Sequence, residues 1–539
     1  MTEPRSNGAG TQSLERAIAL LRVVAAKGEA GARLADLMAA AGLTKATTHR
    51  MLAALVREGL LEQDEATRRY HPGRELAALG RAAAARYRSA APEVSASAYS
   101  RAEYRGKEVA VATLLCDRHL RGRGGRAALL HENVAGQTTE LSFARLARES
   151  RRLASVLAGL GVARGDRVAV LLPKGPELLI TAVAAWRLGA VYMPLFTTFD
   201  PPAVAVRLAD SAARVVVTRD SLRHKIPRDP AGRRSVVTVE SEEGFANGSA
   251  DAVPFWSALH DAAPLDTVAS YGVDDPFALI YTPETDRHPL GIPVCVWALA
   301  GVEQYMRVGL DLRDDDTYWN MADPGWAYGV FYGLIGPLLL GRTTIFCDGP
   351  YDARQSYRVL TKHGVTNLTA APSQVRTLRD ADPSVVPAQL ALRVLSTVGE
   401  PLPADLTEWA TGALKVPLFD QYGQSETGVF IVNRYDPDQP AEAGAGSLGR
   451  ALPGYRVVVL DAEGREAPVG GVGEIAIDRD HSPLFWFDGY ANAPERTAHR
   501  FRHGHRYYLT GDWACLGADG TIRYRGRVSD AVLMQQMGG

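Results

Sequence analysis

Between Arg126 and Val239 the chain alternates short apolar runs with longer amphipathic segments, and this alternation constrains the fold more than any other feature. Arg126 to His131, Arg167 to Leu172, Ala190 to Leu195, Arg214 to Thr218 and Ser235 to Val239 are rich in Val and Leu and too short for stable helices, so they read as strands. Ser142 to Gly159 and Glu177 to Leu188 have helical length and spacing. Strands separated by helices imply an α/β architecture with mainly parallel sheets, because parallel neighbours need a crossover between them.

The 539 residues are too many for one core and imply three or four domains or large subdomains. An apolar fraction of 46% with 22% charged residues fits a globular chain, not a disordered one. No apolar run is long enough to cross a bilayer and the N-terminus is polar, so a cytoplasmic protein without membrane contact is expected. Cys116, Cys295, Cys347 and Cys515 lie far apart with no CxxC spacing, which predicts free thiols and neither a disulfide framework nor a zinc site. Residues 1–90 hold 14 Lys+Arg against 9 Asp+Glu although the whole chain is at −1, so a basic front precedes an acidic body and the two should meet different partners.

That front has its own grammar. Leu14 to Ala26 repeats apolar residues at helical spacing, a short helix from Arg33 stops at Gly42, and Thr44 caps another running to about Gly59. Helix, glycine turn, helix is the spacing of a helix-turn-helix. Thr44, Lys45, Thr47, Thr48, His49 and Arg50 supply the polar and basic groups that base edges and phosphates need, opposite a stripe of Ala46, Met51, Leu52, Leu55 and Val56. Leu60 to Gln63 and Arg68 to His71 predict a hairpin tipped by Arg68 and Arg69, a wing against the DNA backbone. Ser13-Leu-Glu-Arg-Ala, Gly42-Leu-Thr-Lys-Ala-Thr-Thr-His-Arg-Met-Leu and Tyr70-His-Pro-Gly-Arg-Glu-Leu resemble the N-terminal winged helix of the IclR family of bacterial transcription regulators. The resemblance implies binding to double-stranded DNA, dimerisation, and a linker helix over Leu76 to Ala91.

Later motifs resemble the adenylate-forming superfamily of acyl-CoA synthetases, amino-acid adenylation domains and luciferases. They are Thr282 to Gly291, Gly399-Glu-Pro-Leu402, Tyr422-Gly-Gln-Ser-Glu-Thr427, Phe485 to Tyr490, Tyr508-Leu-Thr-Gly-Asp512 and Gly526-Arg527, in the family's order. Asp323-Pro-Gly-Trp-Ala-Tyr-Gly329 is most similar to the short- and medium-chain acyl-CoA synthetase branch. The resemblance implies a large α/β domain with a small β subdomain, and roles for particular residues. Gly399, Glu400 and Pro401 would wall the adenine, Tyr422 would stack on its other face, and Gly423, Gln424 and Ser425 would complete that side. Asp512, with a carboxylate's two acceptors, would take the ribose hydroxyls, with Arg527 approaching from the edge. Glu426 holds magnesium in active relatives. Trp326, Ala327 and Tyr328 would line the acyl pocket.

Two departures qualify the likeness. Active relatives read Tyr-Thr-Ser-Gly-Thr-Thr-Gly-x-Pro-Lys-Gly at the phosphate loop, whereas this chain has Pro283, Glu284, Asp286, Arg287 and Leu290 in place of serine, glycine, threonine, glycine and lysine. Each added carboxylate, about 4–6 Å from a triphosphate, would oppose it by about 3–4 kcal/mol at an effective dielectric near 20. The hinge reads Gly526-Arg527-Val528-Ser529-Asp530 and the sequence closes at Gly539, where relatives continue into a mobile domain that carries a catalytic lysine.

The expected layout is therefore a winged helix-turn-helix over 1–80, a linker over 81–107, an adenylate-forming-like domain over 108–525 and a truncated hinge over 526–539. The expected function is a DNA-binding regulator whose disabled synthetase-like domain senses a carboxylic acid, its acyl-adenylate or its acyl-CoA, with no catalytic residue, metal or required cofactor. The alternative is an active ATP-dependent acyl-adenylating enzyme with an appended winged helix.

Overall fold

The computed structural model describes residues 16–76, 106–240, 252–282 and 289–527, apart from 22, 25–30, 42, 65–66, 230, 350, 434, 437–438 and 441–445. Loop residues Pro283 to His288, most of the linker helix and the hinge beyond Arg527 lie outside the described residues. The chain divides into two compact units, Met1–Glu93 and Val94–Gly539.

In the first unit, helices Leu34–Ala41 and Lys45–Arg57 are followed by the antiparallel pair Leu61–Gln63 and Tyr70–Pro72. Thr44 has extended backbone angles and its hydroxyl accepts from the Thr47 N–H, so it caps the second helix as its sequence position predicts. Leu20, Val24, Leu37, Leu52, Leu55, Leu61 and Tyr70 form the core.

In the second unit, one sheet runs from edge to edge as Val253–Pro254, Ser235–Val239, Val215–Arg219, Arg167–Leu171, Val191–Pro194, Pro276–Tyr281 and Gly291–Cys295. All its neighbours are parallel except the last pair. The five strands read from sequence are present, four in this sheet and Ala127–Glu132 in the next. Val dominates because both faces are covered, which removes the polar alternation of a half-exposed strand. Helices Phe143–Gly159 and Pro176–Arg187 pack on one another; Ser142 caps the first by accepting from the Arg145 N–H. Between them Arg187, almost wholly buried, forms a two-pronged ion pair with Asp117 at 2.9 and 2.7 Å and donates to Ser150. Losing one partner there would leave a buried charge uncompensated.

The second sheet is parallel through Ala127–Glu132, Thr344–Cys347, Tyr318–Asn320, Asn367–Ala370, Val394–Val398 and Leu418–Gln424. It then turns antiparallel through Gly428–Val432, Ser447–Ala451, Ile522–Arg527, Tyr507–Leu516, Val472–Asp478 and Val457–Leu460. This change of direction matters for function. It brings the carboxyl ends of the parallel strands beside residues from the C-terminal antiparallel part, the kind of crevice where α/β proteins bind ligands.

Candidate functional site

One cavity of about 430 Å³ lies at that junction, ample for a small-molecule ligand. All thirteen residues assigned to ligand binding from the sequence line it, although they come from segments up to about 200 residues apart. Strand Val394–Val398 delivers Gly399, Glu400 and Pro401 at its carboxyl end. Gly399 has φ of +89°, and a Cβ there would meet the Trp326 ring at 2.6 Å, so the close approach of backbone to indole requires glycine. Glu400 accepts from the Ser373 N–H and hydroxyl at 3.0 and 2.8 Å, which fixes the start of this wall.

Strand Leu418–Gln424 carries Tyr422, Gly423 and Gln424 and turns tightly through Ser425, Glu426 and Thr427 into Gly428–Val432. Thr510-Gly-Asp512 lies inside strand Tyr507–Leu516, where Gly511, with φ of +79°, permits the local bend. Asp512, 3% exposed, accepts from the Tyr422 phenol at 2.5 Å and the Gln424 amide at 3.3 Å, and pairs with Arg527 at 3.1 Å. Tyr508 donates to the Gln424 Oε1 at 2.9 Å, so the amide orientation is itself fixed. Beside the carboxylate, burial holds the Tyr422 phenol well above its ordinary range.

The far wall is aromatic. Trp326 and Tyr328 rings are 5.7 Å apart and Tyr328 and Tyr332 rings 4.8 Å apart. The Tyr328 and Tyr305 hydroxyls share a hydrogen bond of 2.8 Å, and the Tyr332 hydroxyl accepts from the Val429 N–H at 2.8 Å. Such rings give a flat, mainly apolar pocket with satisfied polar atoms.

Sequence motifs did not reveal Asp420, Arg500, Phe331 or Tyr332, which also line the cavity. Burial pushes the Asp420 carboxyl up to about 7, with the Gln421 N–H and Thr397 hydroxyl as partners. Arg500 comes from a turn after helix Pro494–Ala498, where no spacing rule marks it. Glu426, 4% exposed, accepts from the Tyr490 phenol at 2.5 Å and faces Arg500 at 3.5 Å through the same oxygen. A carboxylate already held by a guanidinium is a poor fit for magnesium, and no group of three metal-ligating side chains occurs among the described residues.

The phosphate loop springs from strand Pro276–Tyr281. Thr282 lines the cavity; its N–H donates to the Leu290 carbonyl at 3.0 Å and its hydroxyl accepts from the Leu290 N–H at 3.1 Å, closing the neck of the loop. Leu290, in the position of the family's lysine, packs against the main apolar core.

In the first unit, Lys45, His49 and Arg50 are exposed and Thr47 partly so. Two sequence assignments are corrected. Thr48 is fully buried, with its hydroxyl donating to the Thr44 carbonyl at 3.0 Å, and Ala46 is exposed. The buried face is Thr48, Leu52 and Leu55, an i, i+4, i+7 stripe that excludes position 46. Arg68 stays exposed at the hairpin tip, whereas Arg69 turns inward and donates to the Gly31 carbonyl at 3.3 Å.

Residues 116–490 match the AMP-binding enzyme family and residues 13–65 the IclR helix-turn-helix domain. The chain is 30% identical over 423 residues to acetyl-coenzyme A synthetase of Bacillus subtilis, covering 77% of this chain and 72% of that protein. It is 31% identical to acetyl-coenzyme A synthetase of Streptomyces coelicolor, covering 78% and 67% respectively. The crystal structure of a Brucella canis acyl-CoA synthetase superposes with a TM-score of 0.73 at 37% identity, covering 78% of this chain and 75% of that one. By sequence and fold, the chain belongs to the AMP-binding enzyme family and carries an IclR helix-turn-helix domain ahead of the AMP-binding domain.

Proposed function

We propose that the cavity holds an acyl-adenylate: adenosine against Gly399 to Pro401, Tyr422 and Asp512, and the acyl group against Trp326, Tyr328 and Tyr332. The observation that carries this reading is the single cavity joining a buried, oriented carboxylate to an aromatic wall. The two hydroxyls of a ribose match the two oxygens of Asp512, and the rings match a short or flat acyl chain.

The relatives favour an ATP-dependent acyl-adenylate-forming ligase, since those cited are named as acetyl- or acyl-CoA synthetases. A second reading is a transcription regulator in which the cavity senses a finished acyl-adenylate, or the related acid or thioester. It is supported by the helix-turn-helix domain, the apolar packing of Leu290 where a phosphate-binding lysine would stand, and the Glu426–Arg500 pairing. On that reading the ligand must bind differently to two DNA-binding states, a homodimer on a paired site being the arrangement the IclR likeness suggests. Pyrophosphate release from ATP, magnesium and a panel of short and aromatic acids separates the two. Release at a synthetase-like rate establishes the ligase; no release, with a ligand-dependent change in DNA retardation, establishes the regulator.

A further inference from the structure

The cavity has only two cationic side chains among its described lining residues, Arg527 and Arg500. Arg527 is committed to Asp512 at the ribose end. Arg500 lines the same cavity, beside Glu426 and the Thr510 carbonyl, and Thr282 lines it too. Its Nε donates to the Tyr490 hydroxyl at 2.9 Å, one terminal nitrogen to the Thr510 carbonyl at 3.3 Å, and the other faces Glu426 at 3.5 Å. The side chain is 31% exposed and lines the cavity, so these braces leave part of it accessible. Its donors exceed these three contacts, and the planar fork suits a phosphate.

We infer that Arg500 is the receptor for the single phosphate of the bound adenylate and that it does this without a divalent cation. The inference rests on the reading of the cavity as an adenylate pocket and adds its phosphate subsite. Tyr490 and the Thr510 carbonyl hold the guanidinium in place. Glu426 balances its charge when no ligand is present. A phosphate monoester or acyl phosphate ester arriving at Arg500 gains a charge-assisted hydrogen bond in a partly desolvated site. A magnesium ion at Glu426 would sit beside the positive charge of the Arg500 guanidinium, 3.5 Å from the same carboxylate. Leu290 offers no competing charge.

Calorimetric titration of the full-length chain with AMP and with adenosine, each in magnesium and in EDTA, tests this. The wild type binds AMP at least about tenfold more tightly than adenosine, to the same extent in both buffers, as one charge-assisted hydrogen bond implies. Arg500→Ala brings AMP down to the affinity of adenosine in the same variant, while Arg500→Lys, which keeps the charge but not the fork, retains part of the preference. A preference for AMP that vanishes in EDTA, or that persists in both variants, overturns the assignment. So does an equal loss of adenosine binding in Arg500→Ala, which would make the residue a structural brace. If neither nucleoside nor nucleotide binds the wild type, the adenylate pocket itself is refuted, an outcome distinct from failure of Arg500 alone.

Discussion

The phenol of Tyr422 donates to Oδ2 of Asp512 at 2.5 Å across 90 residues of sequence. This bond links the parallel part of the second sheet to its antiparallel part and fixes the carboxylate that we propose receives the ribose. Tyr422→Phe keeps the ring but removes the donor, leaving Gln424 and Arg527 on Asp512. Adenosine affinity should fall by about tenfold or more, the worth of roughly one hydrogen bond to a charged group. Titration with adenosine measures it, and the thermal midpoint reports any loss of packing separately.

Gly399→Ala should do more than its size suggests. The added Cβ would sit 2.6 Å from the Trp326 ring at a φ of +89°, so either the backbone shifts or the indole moves into the cavity. A destabilisation of about 1–3 kcal/mol is expected, together with a loss of ligand affinity greater than that of Tyr422→Phe. Denaturant unfolding and nucleoside titration check the two effects.

Asp420 gives the protein a pH signature. Its folded-state pKa of about 7 lies above the ordinary 3.8, so the folded state holds the extra proton between these values. Its stabilising contribution is full below the ordinary pKa and is lost as pH rises through 7. Asp420→Asn should therefore flatten the fall in thermal midpoint between pH 4 and pH 8, and the gain over wild type should be largest at the alkaline end. Scanning calorimetry across that range reads it.

In the winged helix, Arg50→Ala should weaken DNA binding and reduce the slope of log affinity against log salt by about one if the residue contacts a phosphate. Thr48, being buried, should behave differently. Thr48→Val should leave the salt slope unchanged, and Thr48→Arg should lower the thermal midpoint. Fluorescence anisotropy with promoter DNA and thermal melts distinguish the two positions.

Strand and helix positions were legible in the sequence because valine-rich runs and amphipathic segments differ in period, and the Thr44 cap was legible because its chemistry is local. The order of motifs identified the family and the thirteen residues that meet in one cavity. What escaped was set by tertiary packing. Thr48 reads as a polar recognition residue until the phase of its helix is known, and Arg69 reads as a wing tip until the chain folds Gly31 beneath it. Arg500 and Asp420 lie outside any spacing rule, and only the fold brings them to the cavity.

The most direct measurement is the affinity of the full-length chain for a non-hydrolysable acyl-adenylate analogue, an acylsulfamoyl adenosine with a short or aromatic acyl group, compared with Asp512→Ala. The account predicts saturable binding with one site per chain, reduced at least about tenfold by the substitution, with the thermal midpoint of the unliganded variant reporting any loss of folding separately. Absence of binding across the acyl series, or binding that Asp512→Ala leaves intact, would contradict it.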